Sequence, residues 1–236
     1  VNICTICTPD SPWLDWHLPR WLRHVKQSNP TACLCLFIPC DDARVVNHYV
    51  VKSFDKVKLY PGMTKAQIRP WVNEVRMDAT EVFGVDEILY IDCDCDIYED
   101  LSGIADVSDK DLMWCRSPVV HPPWMQFCEK LGFGIPDWVA NNGLLYLRKS
   151  FAKEYKLAKE YCEKFEKPER IAGTFAFNAM LRMQPDISAE VPYEYSTIWW
   201  DGLKLRPAKT IQYCSDKGQQ KRIMLEEKWR KTWCQE

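Results

Sequence analysis

Three aspartates stand two apart at the end of an apolar run: Asp92, Asp94 and Asp96 in "EILYIDCDCDIYEDL", Glu87 to Leu101. Alternate residues of a strand share a face, so carboxylates spaced in this way converge. Three chemistries compete for them. A calcium loop of the EF-hand type also begins D-x-D-x-D, but it needs glycine at its sixth position and glutamate at its twelfth. Counted from Asp92 those positions are Ile97 and Gly103, and the leading segment reads as a strand, so this chemistry is excluded. A structural use remains open, in which the aspartates cap the next turn or pair with Lys and Arg. The third chemistry is a divalent cation, Mg²⁺ or Mn²⁺, shared by Asp92 and Asp94. Such an ion bridges two phosphates and stabilises charge on a departing diphosphate.

Residues of this kind must be carried by something rigid. The stretch "NICTICTP" reads as a first strand, "ACLCLFIP" as a second, "KVKLYPG" as a short third and "EILYI" as a fourth. Between them "SPWLDWHLPRWLRHVKQSN" has apolar residues at helical spacing with Pro19 as an interruption, and "DDARVVNHYVVKSF" reads as a helix capped by Asp41 or Asp42. "TKAQIRPWVNEVRMDATEVFG" reads as one long helix with Thr64 as cap and Gly84 as stop. Strands alternating with helices predict βαβ units and a mainly parallel sheet. Ligands bind such sheets at the carboxyl ends of the strands, which is where Asp92 and Asp94 fall. Further on, "DLMWCRSP" reads as a strand and "VVHPPWMQFCEKLGFGIPDW" as a loop with a short helix. "NNGLLYLRKS" reads as a turn into a strand. "FAKEYKLAKEYCEKFEK" is an amphipathic helix with Phe151, Tyr155, Ala158, Cys162 and Phe165 on one face. "TFAFNAMLRM" is another helix, "KTIQYCSD" a late strand and "QQKRIMLEEKWRKTWCQE" a charged terminal helix.

"ILYIDCDCDIYEDL" resembles the D-x-D segment of GT-A glycosyltransferases, with Asp92 and Asp94 on the pair. "NNGLLYLRKS" is similar to the N-x-G segment that follows in family 8-like members, and "TIQYCSDKGQQK" to their late H-x-x-[SG]-x-x-x-K segment. The resemblance implies an α/β/α sandwich with a central, mainly parallel sheet, formed as a single domain over 1–236. A nucleotide-sugar-binding half would span 1–100 and an acceptor-side half 101–236. It implies metal-dependent sugar transfer from a UDP- or GDP-linked donor to a glycan or other hydroxyl, with retention favoured. Asp92, Asp94 and Gln212 would hold the Mn²⁺ or Mg²⁺, Gln212 standing where the family has histidine and Asp216 being a substitute. Thr8 and Pro9 at the end of the first strand, with Arg69, Arg76, Asp92 and Lys221, would bind the nucleotide and diphosphate. One of Asn141 and Asn142, with Asn142 as the choice, would bond donor or acceptor hydroxyls. A carboxylate base, if inversion operates, would be Asp201 or Asp137, each beside a Trp in an irregular segment. Asn178 matches the family's acceptor-side helix, but the acidic Asp-Gln pattern that precedes it there is missing.

Composition narrows the partners. The chain has 236 residues, 47% hydrophobic and 27% charged, and a formal net charge of -2, so a nucleic-acid backbone is not an expected partner. No apolar run reaches the ~20 residues of a membrane span, and no signal segment is visible. The expectation is a cytoplasmic protein of bacterial or viral origin. Twelve cysteines are many. Cys33 with Cys35 and Cys93 with Cys95 lie two apart on strands, where they cannot easily bridge each other, so they read as core thiols. The four histidines show no ligand spacing. Eleven tryptophans are many, and "PPWMQF", Trp138 and "YEYSTIWWDG" cluster aromatics in the second half of the chain, open equally to loop packing or to stacking on sugar rings. Two other functions stay in view. A sugar-phosphate nucleotidyltransferase also uses paired carboxylates, but no Gly-rich, Lys-containing loop follows the first strand. A non-catalytic carbohydrate-binding protein would need neither metal nor donor.

Overall fold

The structure is a computed structural model and describes residues 1–8, 13–40, 42–118, 120, 122–166, 173–199, 208–213, 220 and 224. Strands β1 (Asn2–Ile6), β2 (Cys33–Ile38), β3 (Lys56–Leu59) and β4 (Ile88–Ile91) lie parallel in the order β3-β2-β1-β4. Beyond β4 the sheet continues with β7 (Ala140–Leu147), β6 (Leu112–Arg116) and β8 (Ser188–Glu190), making seven strands. β7 runs antiparallel to both its neighbours, and β8 parallel to β6. A second, three-stranded sheet is built from β5 (Cys95–Ile97), β10 (Thr210–Tyr213) and β9 (Ser196–Trp199) in that order.

Period-2 alternation along the strands divides the core in two. Cys4, Cys35, Phe37, Tyr90, Leu145 and Trp114 face one side. They pack against α3 (Lys65–Met77), α4 (Ala79–Phe83), α5 (Pro122–Lys130), α6 (Ala152–Cys162) and α7 (Gly173–Met183). Ile3, Leu36, Leu89, Leu144 and Met113 face the other side and pack against α1 (Leu18–Ser28) and the small sheet's Ile97. This is the expected α/β/α sandwich. The ten described cysteines are free thiols and eight are buried, as core residues. Trp124 and Phe127 of "PPWMQF" are buried against Phe175, so those rings serve packing. No described helix is long and apolar enough to cross a membrane.

Several element boundaries differ from expectation. The first helix is preceded by a π-helical turn (Trp13–His17), and Pro19 sits in the first turn of α1, where its missing N–H costs nothing. The segment after β2 forms only a single turn, α2 (Ala43–Val46), and a 3₁₀ turn (Val51–Ser53). Asp42 caps it as expected, but Asn47 Nδ2 donates back to the Ala43 carbonyl and closes it. The long helix after Thr64 is two helices. Thr64 does form a capping box with Gln67, and Gly84 ends α4 in the left-handed region. The break at Asp78 comes from the Phe151 N–H, which takes the Met77 carbonyl at 2.8 Å, while Ser150 Oγ donates to Asp78 at 2.6 Å. α6 ends at Cys162, leaving Phe165 42% exposed and off its apolar face. The expected terminal helix lies almost wholly outside the described residues.

Candidate active site

β1 leads to β2 on one side of the sheet, while β4 lies on β1's other side. The carboxyl ends of β1 and β4 therefore flank the switch point of the sheet, where a crevice opens. A cleft of about 240 Å³ occupies it. Ile6 and Thr8 line it from the end of β1, Val72 and Arg76 from α3, and Tyr90, Asp92 and Asp94 from the end of β4.

Asp92 is fixed by five contacts. Its N–H donates to the Gly143 carbonyl at 2.8 Å, and its own carbonyl accepts from the Cys95 N–H at 3.0 Å, closing the turn into β5. Tyr90, two residues back and so on the same face, donates its hydroxyl to Oδ1. Arg76 Nη1 lies 3.7 Å from Oδ1. Gln212 then bridges the pair: its Nε2 donates to Asp92 Oδ2 at 2.9 Å and to Asp94 Oδ1 at 3.2 Å. Gln212 arrives on β10, paired antiparallel to β5 with Gln212 opposite Cys95. Its side chain lies across Gly143, where a β-carbon would meet Nε2 at 2.6 Å and Cδ at 2.7 Å.

Asp96 has another task. It is wholly buried, and Arg20 of α1 donates to both its oxygens, at 2.7 Å and 2.6 Å, while Tyr98 donates at 3.2 Å. Two aspartates thus face the cleft and the third is a buried ion pair, so the structural reading holds for Asp96.

Arg76 is a buried cation at the base of the cleft. It lies over the Tyr90 ring at 4.7 Å, donates to the Val72 carbonyl at 3.1 Å and donates to the Asn142 carbonyl at 2.6 Å. Burial alone would lower its pKa, but Tyr90 and Asp92 outweigh that and the net direction is upward, so the guanidinium stays charged. Burial pushes the Tyr90 phenol well above its ordinary value, so it acts as a neutral donor to Asp92.

The "NNG" segment is not a turn. Asn141, Asn142 and Gly143 lie within β7. The pairing of β6 with β7 shifts register between Trp114 and Cys115, and Asn141 Oδ1 accepts from the Gly143 N–H at 2.6 Å. Asn142 offers its carbonyl to Arg76 and its Nδ2 to Asn73 Oδ1 at 3.2 Å. Asn178 is buried and clamps the N–H and carbonyl of Ala140, at 2.7 Å and 2.9 Å, so it holds the start of β7.

The cleft therefore gathers Thr8, Arg76, Asp92 and Asp94, with Gln212 bonded to the two carboxylates and the Asn142 carbonyl to Arg76 from behind. Asp137 is exposed, has Arg116 as a neighbouring charge and does not line the cleft. Arg69 lies in α3 seven residues before Arg76, and its side chain is not described. Pro9, Asp201, Asp216 and Lys221, and with them His121, lie outside the described residues. Sequence reasoning missed Tyr90. Tyr90 was findable, because a residue two before Asp92 on a strand must share its face.

Among the described residues no group of three His, Cys, Asp or Glu converges as a metal centre. What does converge is two carboxylates, hard oxygen donors that suit Mg²⁺ or Mn²⁺ when a ligand supplies the rest; the Gln212 carboxamide turns its Nε2 towards them, so its oxygen joins the set only after the amide flips.

No family model matches the chain, and no curated protein sequence does. Solved structures do. The galactosyltransferase LgtC, solved in complex with donor and acceptor sugar analogues, is 12% identical, with a TM-score of 0.63 over 92% of this chain and 88% of that one. A variant of LgtC altered in its active site is 13% identical, with a TM-score of 0.60 over 91% and 88%. Mouse xyloside xylosyltransferase 1 in its apo form is 10% identical, with a TM-score of 0.61 over 90% of this chain and 97% of that one. At this identity the likeness is one of fold, and the fold of this chain is that of the GT-A-type glycosyltransferases.

Proposed function

We propose that the protein is a metal-dependent glycosyltransferase, one domain that moves a sugar from a UDP- or GDP-linked donor to a glycan or other hydroxyl acceptor. One observation carries this reading. Asp92 and Asp94 converge at the switch point of a GT-A-type sheet, bridged by Gln212 and backed by the buried Arg76. Asp92 and Asp94, with the Gln212 amide turned so that its oxygen replaces Nε2, would hold Mn²⁺ or Mg²⁺, which when bound neutralises charge on a leaving diphosphate. Thr8 borders the space for the nucleotide. Arg76 keeps a fixed positive charge beneath Asp92, and Tyr90 holds the Asp92 carboxylate in place by its hydroxyl. Both act without reorganising as the bond to the sugar breaks. Retention of configuration is the outcome we favour, on the resemblance of "NNGLLYLRKS" to the N-x-G segment of family 8-like members.

The test is a panel of nucleotide sugars incubated with the protein and Mn²⁺, read as released nucleotide diphosphate. One donor is expected to turn over, with release abolished by EDTA and reduced at least ~100-fold by Asp94→Ala. A second reading has one observation in its favour: the Gln212 amide already satisfies both carboxylates. A carbohydrate-binding protein on this scaffold would bind glycan without metal and release nothing from any donor.

A further inference from the structure

Cys7 and Cys93 stand just past the carboxyl ends of β1 and β4, the two strands that flank the cleft. The β1–β4 ladder pairs Ile3 with Leu89 and Cys4 with Tyr90, and carried forward it sets Cys7 opposite Cys93. Both cysteines share a face with Ile3, Leu89 and Ile91, as even spacing along neighbouring strands requires. A hydrogen bond links their thiols. Neighbouring strands lie about 4.8 Å apart, within the Cα separation of roughly 4.4–6.8 Å that a disulfide spans. The two sulfurs can therefore join without moving either strand.

Position sets this pair apart from the other thiols. Cys4 stands opposite Cys35 in the β1–β2 ladder, but both are 0% exposed. Cys93 keeps 4% exposure and is the cysteine among the described residues that line the cleft. Its neighbours in sequence are Asp92 and Asp94, and Cys93 and Asp94 form the turn from β4 into β5. Thr8 follows Cys7, accepts from the Cys7 thiol through its carbonyl at 3.3 Å, and also lines the cleft. A disulfide would draw the sulfurs from hydrogen-bond contact to about 2.05 Å and end the donation to Thr8. Cys7 is anchored to β2, its N–H donating to the Phe37 carbonyl at 3.1 Å. The shortening is therefore taken up at the turn, and Asp94 moves with Cys93.

We infer that Cys7 and Cys93 are an oxidation site, and that the disulfide they form disarms the carboxylate pair at the end of β4. The oxidant is hydrogen peroxide. One peroxide oxygen bonds to the Cys93 sulfur as the O–O bond breaks, water leaves, and Cys93 becomes a sulfenic acid. The Cys7 sulfur then bonds to the Cys93 sulfur as the S–O bond breaks, and a second water leaves with the Cys7 proton. Two thiols give up two electrons and two protons, and the peroxide is reduced to water. Exchange with a dithiol reverses the bond. The effect on donor binding rests on the glycosyl-transfer reading, whereas the disulfide itself does not.

The full chain, Cys7→Ala and Cys4→Ala are each treated with hydrogen peroxide and then with dithiothreitol. Two quantities are read at every stage: a peptide mass map of cross-links, and the Kd of UDP and of GDP with Mn²⁺. The wild type is expected to yield a Cys7–Cys93 cross-linked peptide and to lose about ten- to a hundredfold in nucleotide affinity, the cost of a displaced metal ligand. Dithiothreitol should restore both. Cys4→Ala, which removes the other cross-strand pair, should respond as the wild type does. Cys7→Ala should show no change from its own untreated value. If that variant does not fold, the map and the reversal in the wild type still decide. A map without the Cys7–Cys93 peptide overturns the inference. So does a loss of affinity that persists in Cys7→Ala, or a cross-link that leaves Kd unchanged. If the reduced wild type binds neither nucleotide, the glycosyl-transfer reading falls and takes the effect on binding with it, and the peptide map alone upholds or overturns the oxidation site.

Discussion

Gln212 touches both carboxylates through one nitrogen, and it does so because residue 143 has no side chain. An alanine there would drive the amide off Asp92 and Asp94 and leave two like charges without their shared donor. Gly143→Ala is therefore expected to weaken Mn²⁺-dependent nucleotide binding by about ten- to a hundredfold, the usual cost of losing an orienting contact at a metal site. Gln212→Ala should do the same, and the double variant should be no worse than either single one, since both remove the same contact. Isothermal titration of UDP or GDP with Mn²⁺ measures all three. Independent, additive losses would show that Gly143 acts some other way.

At the scale of elements, β5 is held between two partners. β10 pairs with it along one edge, and Arg20 of α1 grips Asp96 in its middle. Tyr98 and Tyr213 extend the contact, their hydroxyls 3.4 Å apart. The charge pair is buried on both sides, with side-chain exposures of 7% and 0%. Removing one partner strands the other without water. Asp96→Ala is expected to cost about 3–5 kcal/mol in urea unfolding, whereas Arg20→Met combined with Asp96→Leu should recover most of it. Similar losses in the single and paired variants would mean that specific geometry, and not the stranded charge, carries the stability. This scale also marks where the sequence stops being legible. The apolar run into Asp92 and Asp94 announced the strand end and its charge. The Arg20–Asp96 and Asn73–Gly173 neighbours lie 76 and 100 residues apart, and such pairs leave no periodic trace. Asn141 to Gly143 has the composition of a turn, and only the register shift opposite it explains why it is strand. The break at Asp78 is likewise imposed from outside, by Phe151.

For the molecule as a whole, the buried thiols set an alkaline limit. Burial pushes Cys115 up to about 12 and Cys4 well above its ordinary value. The folded state thus favours the neutral thiol, while the unfolded chain ionises near ~8.5. A raised folded pKa contributes stability that is full below the unfolded value and is lost as pH rises towards the folded one. The urea midpoint is expected to be level from about pH 7 to 8.5 and to fall steadily above that. Cys115→Ala should make the fall shallower, and a slope unchanged by it would assign the alkaline loss elsewhere.

Every strand of the seven-stranded sheet lies at or before Glu190, whereas the amide that bridges Asp92 and Asp94 comes from Gln212. During synthesis the large sheet has all its strands before the bridging residue is made. A nascent chain, or one clipped between Glu190 and Thr210, keeps the scaffold and the two carboxylates but leaves them to repel each other. Timing is thereby written into the topology: the large sheet has its strands first and, on the function proposed above, the residue that completes the charged site comes last, so a fragment ending before Thr210 is expected to bind Mn²⁺ and nucleotide more weakly than the full chain.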